Sequence, residues 1–253
     1  MKAQLIQFVQ VIAEFLKRNF KKYNSKLPYI LTIILALIIV VIGINLFIEL
    51  TETLKSKTLA TYDASIINYV ISYRSPILNK ILQFITNIGD FYGYLVVALL
   101  SAFFFYFKLK NWSYVGQMIL ILGVSALSNL ALKRFIDRAR PMGEHLVSVE
   151  TLSYPSGHAM SAISFYGFLI YLCYRLKMNR WLKFSLISIF VLLIAAIGIS
   201  RIYLGVHFPS DIAGGFIAGL IWITFCVLMF NVVDLFKRRT NNAEISDISN
   251  KMN

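Results

Sequence analysis

Apolar residues in this chain run in long blocks, and that constrains its fold more than any other feature. A helix rising about 1.5 Å per residue needs about 20 mostly apolar residues to cross the hydrocarbon core of a bilayer. Six blocks fit: Leu27–Leu50, Phe91–Phe107, Tyr114–Leu132, Ala159–Tyr174, Phe184–Ile199 and Ile212–Phe236. The fourth and fifth are short, so the loop residues beside them are expected to extend those helices. With 58% of 253 residues hydrophobic and 15% charged, a water-facing shell cannot be built. A soluble domain, a disordered chain and a collagen-like chain are excluded. Cys173 and Cys226 both sit inside apolar blocks and offer neither a disulfide framework nor a zinc pattern.

The fold class read from this pattern is all-α: a polytopic membrane protein of six transmembrane helices with extra interfacial amphipathic helices. Residues 1–26 form a cytoplasmic N-terminal segment, 27–236 the six-span domain, and 237–253 a polar cytoplasmic tail expected to be disordered. Placing both termini inside puts sixteen of the 25 Lys and Arg on the cytoplasmic face and nine on the other. The net charge of +13 is therefore read as topology, not as a nucleic-acid surface. Leu5, Phe8, Val9, Ile12, Leu16 and Phe20 recur at helical spacing, which fits either an interfacial helix on the anionic inner leaflet or an extension of the first span. Between the first two spans, residues 51–90 mix apolar and polar positions around the Ser75-Pro76 break. They read as short interfacial helices, set as a collar around a lateral opening or packed onto the span ends.

The outer span ends hold the chemistry. Lys133-Arg-Phe-Ile-Asp-Arg-Ala-Arg140-Pro141 follows the third span, Pro155-Ser156-Gly157-His158 precedes the fourth, and Ser200-Arg201 through His207 to Asp211 follows the fifth. The topology puts all three on one face. Taken singly, Lys133 and Arg140 fit lipid-headgroup anchors, and His207 with Asp211 fits a structural pair. Together they favour an anion site, because Arg presents a fork that matches phosphate oxygens and Lys a point charge. Ser156 is placed to cap a helix whose free N–H groups face an anion, and Gly157 lets backbone approach closely. Asp211, four residues after His207, can bond one ring nitrogen and leave the other as nucleophile, with His158 free to protonate a leaving oxygen. His145 is read as solvated, and Arg134, Asp137 and Arg138 as loop charges paired with one another.

These segments resemble the type 2 phosphatidic acid phosphatase family, or lipid phosphate phosphatases, whose signature is K-x6-RP, PSGH and SR-x5-H-x3-D. All eleven specified positions match as KRFIDRARP, PSGH and SRIYLGVHFPSD. The resemblance implies that His207 is the nucleophile, oriented by Asp211, and that His158 is the general acid. It implies a phosphate clamp of Lys133, Arg140 and Arg201, with Ser156 and Gly157 as further phosphate ligands. It implies no metal and no cofactor, and a lipid phosphate as substrate. The bacterial membrane branch, including enzymes of the phosphatidylglycerophosphatase B type, acts on phosphatidylglycerophosphate, undecaprenyl pyrophosphate, phosphatidate or diacylglycerol pyrophosphate. A plasma-membrane enzyme with its site outside or in the periplasm follows, and the loop Met142–Tyr154 is expected to help choose among these lipids. The motifs also occur in vanadium haloperoxidases, which are soluble. A noncatalytic lipid-phosphate binder or a transporter is the alternative of a different class, although a transporter would be expected to keep polar groups near the bilayer midplane.

Overall fold

The computed structural model describes residues 27–107, 110–149 and 151–252, and every regular element among them is a helix. The amphipathic pattern of the first 22 residues lies outside that range. Eight helices follow in chain order: α1 (Leu27–Thr53), α2 (Lys57–Ile71), α3 (Pro76–Ile88), α4 (Phe91–Phe107), α5 (Ser113–Ile136), α6 (Gly157–Arg175), α7 (Arg180–Tyr203) and α8 (Pro209–Met252). Packing divides the chain at Ile39/Val40. The first unit contributes only the opening residues of α1 to the described range, and the second holds everything that follows.

Local chemistry sets the helix boundaries. Ser56 and Ser75 cap α2 and α3, accepting from Leu59 N and Leu78 N, and Pro76 occupies the first turn of α3, where its missing N–H costs nothing. Asn179 caps α7 by accepting from Trp181 N. The expected fourth and fifth spans gain residues at both ends, as their lengths required. The last helix runs on through Met252, where the sequence reading expected a disordered tail. No Pro or Gly follows Gly219 to stop it.

Four helices are long and apolar enough to cross a membrane, over Leu31–Thr53, Ser113–Ile136, Arg180–Tyr203 and Pro209–Asp234. A fifth span results when α3 and α4, bent by 57° at Gly89-Asp90, are taken as one. The fourth expected span, α6, is absent from these and is the helix the others enclose. It packs on α5, α7 and α8 and buries Phe165, Tyr166, Phe168, Leu169 and Leu172. A helix surrounded by protein does not need a lipid-facing surface, so it can carry Ser161, Ser164 and His158. Its approach to α8 is close: a Cβ at Gly219 would stand 2.6 Å from Met160 O, and one at Gly215 2.6 Å from Ser156 O. Lipid-facing apolar residues lie instead on α4 and α7, where Leu99, Leu100, Phe103 and Leu192 are exposed.

Between the first and second expected spans, α2 and α3 form as anticipated. They lie on the ends of other helices: α3 packs on α7 and α4, and α2 on α7 and α8. Ile67 and Val70 of α2 cover Ile202 and Ile212. The same face of α2 carries Asp63, one turn earlier, and Asp63 is buried.

Candidate active site

Three span ends converge on one cavity of about 460 Å³. Lys133 comes from the last turn of α5, Gly157 and His158 from the first turn of α6, and Arg201 from the last turn of α7. Arg140 and His207 enter from the loops after α5 and α7. The spacing between Arg201 and His207 follows from how α7 ends. Gly205 takes φ +80°, its N–H donates to Ile202 O at 3.0 Å, and Val206 N–H donates to Arg201 O at 3.1 Å. This cap turns the chain back, so that His207 and Arg201 line the same cavity. A side chain at Gly205 would meet both that φ and Glu144 O, 2.7 Å from a Cβ.

The imidazole of His207 is held on both sides. Nδ1 lies 3.2 Å from Asp211 Oδ2 and 3.4 Å from Ser153 Oγ, while Nε2 faces Arg140 Nη1 at 3.2 Å. With Asp211 accepting, the proton belongs on Nδ1 and the lone pair on Nε2. Asp211 is itself saturated: Ser153 Oγ and Phe208 N donate to Oδ2, and Arg138 Nη1 donates to Oδ1 at 2.6 Å. Burial, only partly offset by Asp211, pushes the His207 imidazole down to about 3. It is therefore neutral at physiological pH.

The cations around Nε2 have no carboxylate partner among the described residues. Lys133 donates to Thr151 Oγ1 and Leu152 O, Arg140 to Thr151 O and Val206 O, and Arg201 Nη1 to Thr86 Oγ1 at 2.8 Å. Arg201 Nε is buried with no hydrogen-bond partner among the described residues. Three cations held this way by neutral groups, one with an orphan donor, suit an anion. Burial also lowers the pKa of Arg140, against the pull of Asp211.

Ser156 caps α6, its hydroxyl accepting from Ala159 N, and its own N–H donates to Asp211 O. It does not line the cavity. At this helix start the N–H groups of Gly157 and His158 are the ones with no partner among the described residues. Gly157 is confined by Asn129, whose Oδ1 would lie 2.9 Å from a Cβ there, while Asn129 Nδ2 donates to Pro155 O. His158 Nε2 sits 2.8 Å from Asp90 Oδ1, off the line a good hydrogen bond requires. The loop Met142–Tyr154 contributes Val147, Ser148, Val149 and Thr151 to the cavity wall. His145 is not simply solvated, because its Nε2 meets Pro141 O at 2.9 Å.

The sequence reading missed several residues. Arg138 does not pair with Asp137; it bridges Asp211 and Asp63 and stacks over Phe208 at 4.1 Å. Asp63 also accepts from Ser210 N and Ser210 Oγ. The one available signal was an Asp on the apolar face of an amphipathic helix, in register with Ile67 and Val70. Asp90, Thr86, Asn129, Thr151 and Ser153 lie outside any motif, and local sequence gives them no signal.

Comparison with known proteins places this geometry in a family. Residues 114–234 match the PAP2 superfamily. Phosphatidylglycerophosphatase B of Bacillus subtilis (strain 168) is 33% identical over 181 residues, which is 69% of this chain and 86% of that protein. Decaprenylphosphoryl-5-phosphoribose phosphatase of Mycobacterium tuberculosis (strain CDC 1551 / Oshkosh) is 33% identical over 131 residues, covering 50% of this chain and 66% of the relative. The crystal structure of a transmembrane PAP2 type phosphatidylglycerolphosphate phosphatase from Bacillus subtilis superposes with a TM-score of 0.71 at 29% identity, over 77% of this chain and 96% of that one. The apolar helices, the three motifs meeting at one cavity and these likenesses agree: the chain belongs to the PAP2 superfamily, as an integral membrane protein.

Proposed function

We propose that this protein is a lipid phosphate phosphatase that removes a terminal phosphate through a phosphohistidine on His207. The observation that carries the reading is the placement of a neutral, Asp211-held imidazole with Nε2 among Lys133, Arg140 and Arg201. In the first step Nε2 attacks phosphorus and the bond to the leaving oxygen breaks, with His158 donating the proton that oxygen needs. The cations and the N–H groups of Gly157 and His158 stabilise the charge that builds on the phosphoryl oxygens. In the second step His158 takes a proton from water as its oxygen attacks phosphorus, the N–P bond breaks with its electron pair returning to Nε2, and inorganic phosphate leaves. Asp211 keeps the Nδ1 proton in place throughout.

A lipid substrate is supported by a second concavity. An apolar groove of about 700 Å³, walled by Tyr94, Leu95 and Ala98 of α4 and Ile119, Leu122 and Gly123 of α5, runs into the cationic cavity. A tail can stay in hydrocarbon there while its phosphate reaches His207. The preferred substrate is a phosphatidylglycerophosphate-type lipid, with undecaprenyl pyrophosphate and phosphatidate as competitors. The apolar blocks support six spans, the bacterial relatives a bacterial plasma membrane, and the charge bias of the loops both termini in the cytoplasm with the site on the opposite face.

The test is phosphate release by the purified protein in detergent with EDTA present, from each of these lipids, beside His207→Ala. Release that survives EDTA, is inhibited by vanadate and vanishes in the variant is the expected result. A folded protein that binds these lipids but releases no phosphate would overturn the enzymatic reading.

A further inference from the structure

Among the described residues three carboxylates stand at or behind the site, and their environments differ. Asp211 and Asp63 are sealed, with side chains 0% and 2% exposed and hydrogen bonds on both oxygens. Asp90 is 48% exposed. Its Oδ1 meets His158, and its Oδ2 has no partner among the described residues. Asp90 sits at the bend between α3 and α4, where its own peptide N–H donates to Asn87 O and its carbonyl accepts from Tyr94 N. Its backbone is therefore held by these bonds, and its half-exposed carboxylate lines the cavity.

Asp90, Asn129, Leu130, Gly157 and His158 line both the cationic cavity and the apolar groove. A lipid with its terminal phosphate beside His207 and its tail in the groove must thread this strip. The atoms next to the scissile oxygen therefore lie beside Asp90. A carboxylate there repels a second phosphate and accepts a hydrogen bond from a hydroxyl. Among the described residues it is the one carboxylate lining a cavity that is otherwise built for negative charge.

Resting on the phosphatase reading above, we infer that Asp90 selects the leaving group, favouring a neutral, hydroxyl-bearing headgroup next to the reacting phosphate and disfavouring a pyrophosphate. A phosphatidylglycerophosphate places a glycerol hydroxyl at this strip, phosphatidate places none, and undecaprenyl pyrophosphate places a charged phosphate.

The experiment measures kcat/KM for these three lipids with the purified full-length protein in detergent and EDTA, for wild type, Asp90→Asn and Asp90→Glu. Asp90→Asn is expected to raise the pyrophosphate-to-phosphatidylglycerophosphate ratio about tenfold, while Asp90→Glu keeps the wild-type preference. Equal losses on all three lipids in Asp90→Asn would overturn the inference and leave Asp90 as a partner of His158 alone. A second measurement needs no variant. In the wild type, glycerol 1-phosphate is expected to compete for the site better than inorganic pyrophosphate despite its lower charge, and the reverse order overturns the inference. If the wild type releases phosphate from none of the lipids, the phosphatase reading itself has failed, which is a separate outcome.

Discussion

The guanidinium of Arg138 donates to Asp211 Oδ1 at 2.6 Å and, through its other nitrogen, to Asp63 Oδ2 at 2.9 Å. The carboxylate that holds the His207 imidazole is thereby tied to the amphipathic helix α2, whose Asp63 is 75 residues from Arg138 in the chain. Neither Asp63 nor Arg138 lines the cavity.

Asp63→Asn should therefore lower kcat and leave KM nearly unchanged. It removes one of the two carboxylates that hold Arg138, and breaking a buried pair of this kind costs about 3–5 kcal/mol. Steady-state kinetics and thermal unfolding in detergent check both effects. A rise in KM at constant kcat would mean that the network shapes substrate binding instead.

Replacing Arg201 by Lys keeps the charge and loses the fork, so Thr86 and the phosphoryl oxygens can no longer both be bonded. The expected loss in kcat/KM is about 10²–10³, the cost of removing one charge-stabilising donor. Product inhibition by inorganic phosphate should weaken in parallel. A variant with unchanged inhibition would place Arg201 outside the phosphate site.

Stability should fall with acid because of His207. The folded imidazole titrates near 3, whereas an unfolded one titrates at about 6.5. Between these values the unfolded chain binds the extra proton, so His207 stabilises the fold fully above about pH 6.5 and progressively less as pH falls toward 3. His207→Gln, which carries no titrating group there, should show a shallower loss of melting temperature from pH 7 to about pH 4. Parallel curves for the two proteins would remove His207 from the acid response.

On the proposed mechanism Gly157→Ala should cost about tenfold or more in kcat, because its Cβ would press on Asn129 Oδ1 at the helix start that lines the cavity. Adding Asn129→Ser should restore part of that loss. The readout is the double-variant cycle, and strictly additive losses would show that the crowding is not the cause.

Much of the fold was legible because its causes are local. The second expected span coincides with α4, and Ser75-Pro76 starts α3, since apolar run length and capping chemistry act within a few residues. The count of spans was less legible. The polar groups on α6 make sense only once α5, α7 and α8 are seen to enclose it.

The same division runs through the site. Lys133, Arg140, Gly157, His158, Arg201 and His207 could be named from sequence spacing, and the structure brings all six to one cavity. Ser156 could be named as a cap, which it is, but its hydroxyl and N–H are already bonded within the protein. What the sequence by itself determined was helical content, membrane residence and the motif residues that meet at the cavity, because those depend on composition and short-range spacing. What only the tertiary structure decided was that Asp63 and Arg138 support Asp211 and that Asp90 stands open at the junction of cavity and groove. Those roles depend on which buried groups are satisfied by partners distant in the chain, and burial is a property of packing rather than of sequence order.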